Sequence, residues 1–315
     1  MTTPYISWLG HGAADLAPPG IFTGATASCF GFQADQVAMQ ALADKLLNPA
    51  NGGVVRYQAI GDMAMVSFMD IQRCTSGTDV VGWLPGRETA LWIPLLESYI
   101  ADPNQYRVVF WAPYIFINYA IGMVIGRQTW GWPKVMADIT VPTDNPAAPV
   151  FDCTTTYFPT LSQSTQGVTG SLFRITGLPA GDVRGRGWTT PLQAFEAVAD
   201  GLLGGLGEAL IKALGDGPQV PSVALKQFRQ PGAATTACYQ AICDSPIELT
   251  AFSGGDVYPD GLSLEITTCE SHQIIADFLG TAPSPGSTTV PVKFGGWVAI
   301  DFQALTGHVI VSTTS

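Results

Sequence analysis

The 315-residue chain carries 25 acidic against 14 basic side chains, a formal net charge of −11, and 47% of its residues are hydrophobic while 12% are charged. A chain so apolar can bury a sizeable core, which argues against intrinsic disorder. Its acidity argues against nucleic acid as a partner, because phosphate contacts need a basic surface.

In chain order, the N-terminus lacks a basic stretch followed by an apolar one and does not read as a secretory signal. Ala27–Phe32 reads as a short strand. Asp35–Leu47 reads as an amphipathic helix with Val37, Met39, Leu42, Leu46 and Leu47 near one face. Proline and paired glycines over Asn48–Gly53 stop it. Strands are expected at Val54–Ile60, Met63–Ile71, Glu88–Leu96 and Arg107–Phe116. Val108–Ile125, VVFWAPYIFINYAIGMVI, is uncharged and long enough for a membrane span. Pro113, Asn118 and two tyrosines argue for a buried strand running into a buried helix over Ile117–Thr129, and no membrane is expected. Ala137–Val141, Val150–Tyr157 and Ser171–Thr176 alternate as half-buried strands do. Pro191–Leu214 has helical spacing. Its "GLLGGLG" lacks the preceding strand and the Lys-Ser/Thr of a phosphate loop. Strands return from Val223 to Thr268, Glu270–Leu279 is a short helix or a strand, and Val290–Ile300 and Val309–Ser312 are strands. With no βαβ rhythm, the expectation is an antiparallel α+β fold.

The six cysteines (29, 74, 153, 238, 243, 269) form no C-x-x-C. They read as reduced packing thiols of a cytoplasmic protein, with no metal site. His272 and His308 sit in apolar stretches and read as hydrogen-bonded structural histidines. The basic stretch "GDVRGRGW" (181–188) reads as a solvated loop. The low charge fraction suits a buried subunit interface as well as a strand-rich core, so a homo-oligomer is one expectation.

Lys134 stands apart from the other lysines, which lie on an amphipathic helix face or in strand-like stretches. It follows Pro133, which fixes the backbone, and its neighbours are Trp130, Trp132, Val135 and Met136. Burial disfavours the ammonium, and carbonyl chemistry needs the neutral amine. The alternative is a lysine whose stem covers apolar surface while its head reaches water. Composition leaves both open.

"GRQTWGWPKVMA" (126–137) resembles the Gly-Arg-Glu…aromatic-Pro-Lys-Lys signature of the acetoacetate decarboxylase family. "RETALWIPL" (87–95), "ALKQF" (224–228) and "SHQIIADF" (271–278) resemble further family segments in family order, so the resemblance spans roughly residues 25–280. It implies a single domain, an antiparallel β-barrel or cone with flanking helices. An extra helical segment near 190–218 and a C-terminal strand extension over 285–315 go beyond it. It also implies a cofactor-free Schiff-base lyase acting on a small-molecule carbonyl substrate. Lys134 would form the imine, Glu88 would orient water or move a proton, and Trp132, Gln128 and Arg127 would contact the substrate. Three departures stand out. Val135 replaces the second lysine, Gln128 replaces the glutamate, and "GATASCFGF" (24–32) lacks the family's early arginine. These favour a divergent activity on a larger, more apolar keto substrate: an aldolase, a dehydratase or a decarboxylase of secondary metabolism. Acetoacetate decarboxylation itself and a non-catalytic binding barrel remain the alternatives.

Overall fold

The computed structural model describes residues 4–7, 9–11, 16–102, 104–181, 187–203, 219–282 and 284–313. Alternating apolar residues draw most of them into one large, mainly antiparallel sheet of sixteen strands. At its centre β1 (Gly20–Gln33) pairs with β3 (Met63–Ser76) on one side and β15 (Ser287–Ala304) on the other. Beyond β3 follow β4 (Leu84–Tyr99) and β5 (Tyr106–Ile117), then, parallel to β5, β11 (Ser222–Gln230). β12 (Ala233–Asp244) and β16 (His308–Thr313) end that arm. Beyond β15 follow β14 (Ser263–Thr267), β9 (Val168–Thr176), β8 (Phe151–Tyr157) and β7 (Asp138–Thr140). Short strands branch off: β2 (Val55–Ala59) on β4, β6 (Lys134–Met136) parallel to β5, and β10 (Gln219–Val220) on β13 (Ile247–Val257), which itself pairs with β15.

Among the described residues the end strands β16 and β7 do not pair with each other, so the sheet is open and not a closed barrel. Twisted sheets this wide curl to cover themselves. The C-terminal stretch expected as an extension is not peripheral, since β15 bridges β1, β13 and β14.

The two faces of the sheet have different uses. One buries the main core: Phe30, Phe32, Phe68, Leu91, Ile93, Phe116 and Phe173 pack beneath α1 (Gln36–Leu46) and α4 (Ile274–Leu279). α1 starts at Asp35, whose carboxylate accepts the Ala38 N–H at 2.9 Å, a cap worth about 1 kcal/mol. Its buried side is Met39, Leu42 and Ala43, continued by Leu47. Val37, expected on that side, is 79% exposed, because at about 100° per residue it falls on the side of the helix away from Met39 and Leu42, and Leu46 in the last turn is 37% exposed. The other face carries smaller apolar clusters around Ala90, Ile115, Ile71 and Phe110. Two helices serve it: α2 (Ala120–Ile125) and α3 (Pro191–Leu203).

The run Val108–Ile125 is β5 followed by α2, and no helix among the described residues is long and apolar enough to cross a membrane. The helix expected over Pro191–Leu214 is seen to Leu203. Its remainder and residues 182–186 of "GDVRGRGW" lie outside the described residues. Glu270–Leu279 resolves as a loop and the short α4. A buried ionic cluster ties β4, β5 and β12. Arg107 bonds Glu97 at 2.7 Å and Asp244 at 2.8 Å, and Tyr57 donates to Glu97 at 3.0 Å.

Candidate active site

Lys134 reaches its position through a wide turn. After α2 the chain makes a π turn over Gly126–Trp130, a form recurrent at functional sites. Gly131 ends it in the left-handed conformation, φ 81°, and a Cβ there would lie 2.7 Å from Lys226 Cβ. Two bonds then fold the chain back: Trp132 N–H to Gly126 O at 3.0 Å and Lys134 N–H to Trp132 O at 2.8 Å. Arg127 Nη1 donates to Lys134 O at 3.2 Å. The strand β6 sets Lys134 beside Ile115 of β5. Gly126 makes room for the lysine stem, since a Cβ on it would stand 2.5 Å from Lys134 Cδ.

Glu88 comes from β4, where neighbouring side chains alternate between faces. Arg87 turns to the other face, bonding Asp70, Asp144 and the Ile139 carbonyl. That guanidinium holds the Asp144 carboxyl below the usual carboxylate range. Glu88 turns to the lysine face and its Oε2 contacts Lys134 Nζ directly. Lys134 is only 4% exposed. Nζ also lies 4.8 Å from the Trp132 ring centroid. An isolated buried ammonium would be prohibitively costly, and here a carboxylate and a π face offset that cost. Trp132 is itself backed by Trp130, stacked at 4.9 Å, whose Nε1 donates to Leu305 O at 2.8 Å.

The amine lines a cavity of about 300 Å³ together with Phe22, Cys74, Leu84, Tyr119, Trp130 and Trp132. Lys134 is the one charged residue among the described lining residues. Arg73 lies close to the wall, its guanidinium carbon 5.6 Å from the ring centroid of the lining residue Trp83. Cys74 and Tyr119 contact each other near Glu88. Burial pushes the Cys74 thiol up to about 11, and burial with the nearby thiol pushes the Tyr119 phenol up as well. Both stay protonated at neutral pH and present a polar edge to the cavity.

The structure therefore brings together Lys134, Glu88 and Trp132. It does not bring Arg127 or Gln128 to the cavity: both are exposed, and Arg127 instead holds the lysine backbone. Phe22, Cys74 and Tyr119 escaped the sequence reading. Tyr119 immediately precedes α2, but nothing local marks it. Of the other family-like segments, Lys226 lies against the π turn, with Nζ 3.3 Å from Thr129 O. "SHQIIADF" pins α4 to the opposite face of β5, because Tyr114 donates to Asp277. His272 there is half-buried and bonds Ser271 Oγ at 3.0 Å, as a structural histidine does. His308, in contrast, is 68% exposed and lies 3.6 Å from Asp244. The strand end at the sheet edge leaves it in solvent.

No family model matches the sequence, and no curated protein matches it. Solved structures do match the fold. The acetoacetate decarboxylase of Legionella pneumophila superposes with a TM-score of 0.61 at 13% identity, over 99% of this chain and 93% of that one. The enduracididine biosynthesis enzyme MppR gives 0.56 at 15% identity, over 97% and 92%. An acetoacetate decarboxylase-like enzyme from Sphingomonas wittichii gives 0.55 at 14% identity, over 98% and 99%. The fold is thus that of acetoacetate decarboxylase.

Proposed function

We propose that this chain is an acetoacetate decarboxylase-like enzyme that captures the carbonyl group of a small-molecule substrate as an imine on Lys134. The observation that carries this reading is the buried Lys134–Glu88 contact at the cavity wall, with the ammonium against Trp132. Fold likeness to acetoacetate decarboxylase supports it. So does MppR, a protein of the same fold solved with pyruvate and with the condensation product of pyruvate and imidazole 4-carboxaldehyde.

Glu88 takes the proton from the Lys134 ammonium, and the free amine attacks the carbonyl carbon. Glu88 returns the proton to the carbinolamine hydroxyl, the C–O bond breaks, and water leaves. The resulting iminium accepts the electron pair of a bond broken at the adjacent carbon, which is the step that proton abstraction, aldol chemistry and decarboxylation share. Cys74 and Tyr119, both protonated, can hold the departing oxygen. A substrate carboxylate would find no second cation among the described lining residues, and desolvating it unpaired is costly. The cavity therefore favours a ketone or aldehyde over acetoacetate, and aldol or dehydration chemistry over decarboxylation.

Borohydride reduction in the presence of simple ketones, aldehydes and keto acids, read by peptide mass spectrometry, tests the reading. A reduced adduct on Lys134, absent from Lys134→Ala, is expected. If no carbonyl compound is ever reduced onto Lys134, the imine mechanism is wrong. Loss of turnover in Glu88→Gln without any adduct in the parent protein would then point to acid–base chemistry by Glu88 alone.

A further inference from the structure

A second cavity, of about 210 Å³, lies on the same face of the sheet beneath α3. Its walls include Met65, Met69, Trp92, Phe110, Phe195 and Phe302, and none of its described lining residues is charged. Its polar side chains are few. Ser67 Oγ accepts the Trp92 indole N–H at 2.8 Å, and burial pushes the Cys29 thiol up to about 12. The chamber thus offers mainly apolar contact.

Strand register places it next to the lysine cavity. One row across the sheet runs Phe302, Phe22, Cys74, Leu84. Phe302 lines the second chamber, and the other three line the lysine cavity. Beyond the intervening row Ile300, Ala25, Ile71, Gly86, the next runs Val298, Ala27, Met69, Glu88. There the first three line the chamber, and Glu88 holds Lys134. The Phe22–Phe302 pair, stacked at 4.6 Å and packed with Ala25, Ile71 and Ile300, stands between the two.

We propose that this chamber receives the apolar tail of the carbonyl compound captured at Lys134, with the Phe22–Phe302 pair turning aside to admit it. The substrate is then a ketone or aldehyde bearing an aromatic ring or an alkyl chain. The proposal rests on the imine reading above. An apolar cavity of about 150 Å³ stays dry and binds benzene, so the space suits a ring or a chain of several carbons.

The test compares borohydride trapping of 2-nonanone with that of acetone, in the parent protein and in Ala194→Phe, which fills the chamber from α3. The parent is expected to trap 2-nonanone about tenfold or more faster than acetone at equal concentration, as burial of several methylenes requires. In Ala194→Phe that ratio is expected to fall to about one. An equal rate for both ketones in the parent, or an unchanged ratio in the variant, overturns the proposal. If neither ketone is trapped, the imine reading is judged on the wider carbonyl panel, and calorimetric titration of 2-nonanone decides the chamber separately. Binding weakened about tenfold in Ala194→Phe supports it, and equal or no binding overturns it. If Ala194→Phe does not fold, a crystal of the parent soaked in 2-nonanone decides. A tail beneath α3 supports the proposal, whereas a tail elsewhere or an empty chamber overturns it.

Discussion

Replacing Gly126 by alanine would set a methyl carbon 2.5 Å from Cδ of Lys134, 2.8 Å from Cε and 3.2 Å from Cγ. Non-bonded carbons rest at roughly 3.5–4.0 Å, so the lysine stem must retreat by about 1 Å or the turn must open. Backbone strain does not enter, because Gly126 has ordinary helical angles, φ −55° and ψ −45°. The effect is steric, and overpacking of this kind costs about 1–3 kcal/mol. At roughly 2–4 °C per kcal/mol for a chain approaching this size, the melting temperature should drop by several degrees. The retreat also pulls Nζ from Glu88, and a misplacement of about 1 Å costs roughly 10²-fold in rate. The assay is the rate of borohydride adduct formation at Lys134, followed by mass spectrometry beside a circular-dichroism melt. A folded Gly126→Ala protein that traps carbonyl compounds at the parent rate would show that this glycine does not set the position of the amine.

Glu88→Gln keeps the shape of the contact but cannot take a proton, so adduct formation should slow by about 10²–10⁴-fold while the fold persists. An unchanged rate would remove Glu88 from the mechanism. Arg107→Ala leaves the buried Glu97 and Asp244 carboxylates without their cation. The loss should be about 3 kcal/mol, at the low end for a broken buried pair because a third of the guanidinium side chain faces solvent. Urea denaturation measures it, and a loss under about 1 kcal/mol would contradict the reading. Burial lowers the pKa of His272, so the folded protein favours the neutral ring. The sign follows: its contribution is fully present above the unfolded value of about 6.5 and is lost as pH falls through the lowered folded value. In His272→Asn the slope of stability against pH just below about 6.5 should flatten, and an identical slope would refute the assignment.

Strands were readable wherever one face of the sheet is buried, because alternation then survives in the residues. The end of α2 and the turn after it were harder. A helical repeat through Thr129 misses the π turn, whose extra residue redirects everything after Gly126. For that reason Trp132 and Lys134 point inward while Arg127 and Gln128 stay outside the cavity. Val37 was grouped with the core residues, but at about 100° per residue it lies on the side of the helix away from Met39 and Leu42, and Leu46 sits at the helix end, where burial thins. The central place of β15 left no local trace, since its partners β1, β13 and β14 are set by long-range register. Lys134 could be read because a lysine in apolar surroundings after a proline conflicts with its own chemistry. Glu88 came from the family likeness alone, and Phe22, Cys74 and Tyr119 are ordinary residues until the sheet brings them together.

The Trp132 ring does more than offset the charge of the amine it covers. Its plane lies against Nζ on one side, while the Lys134 backbone is held by its bonds to Trp132 and Arg127. An imine formed there with its plane along the indole would have one of its two faces shut. A proton or a second carbonyl compound could then approach the adjacent carbon from the cavity side alone. The two hydrogens on that carbon would cease to be equivalent. In deuterium oxide, a bound ketone with a prochiral methylene should exchange one of them well ahead of the other, as proton NMR would show. On the imine reading proposed above, a tryptophan placed against a lysine would act as a stereochemical device, favouring one hand of a chiral product formed in this cavity.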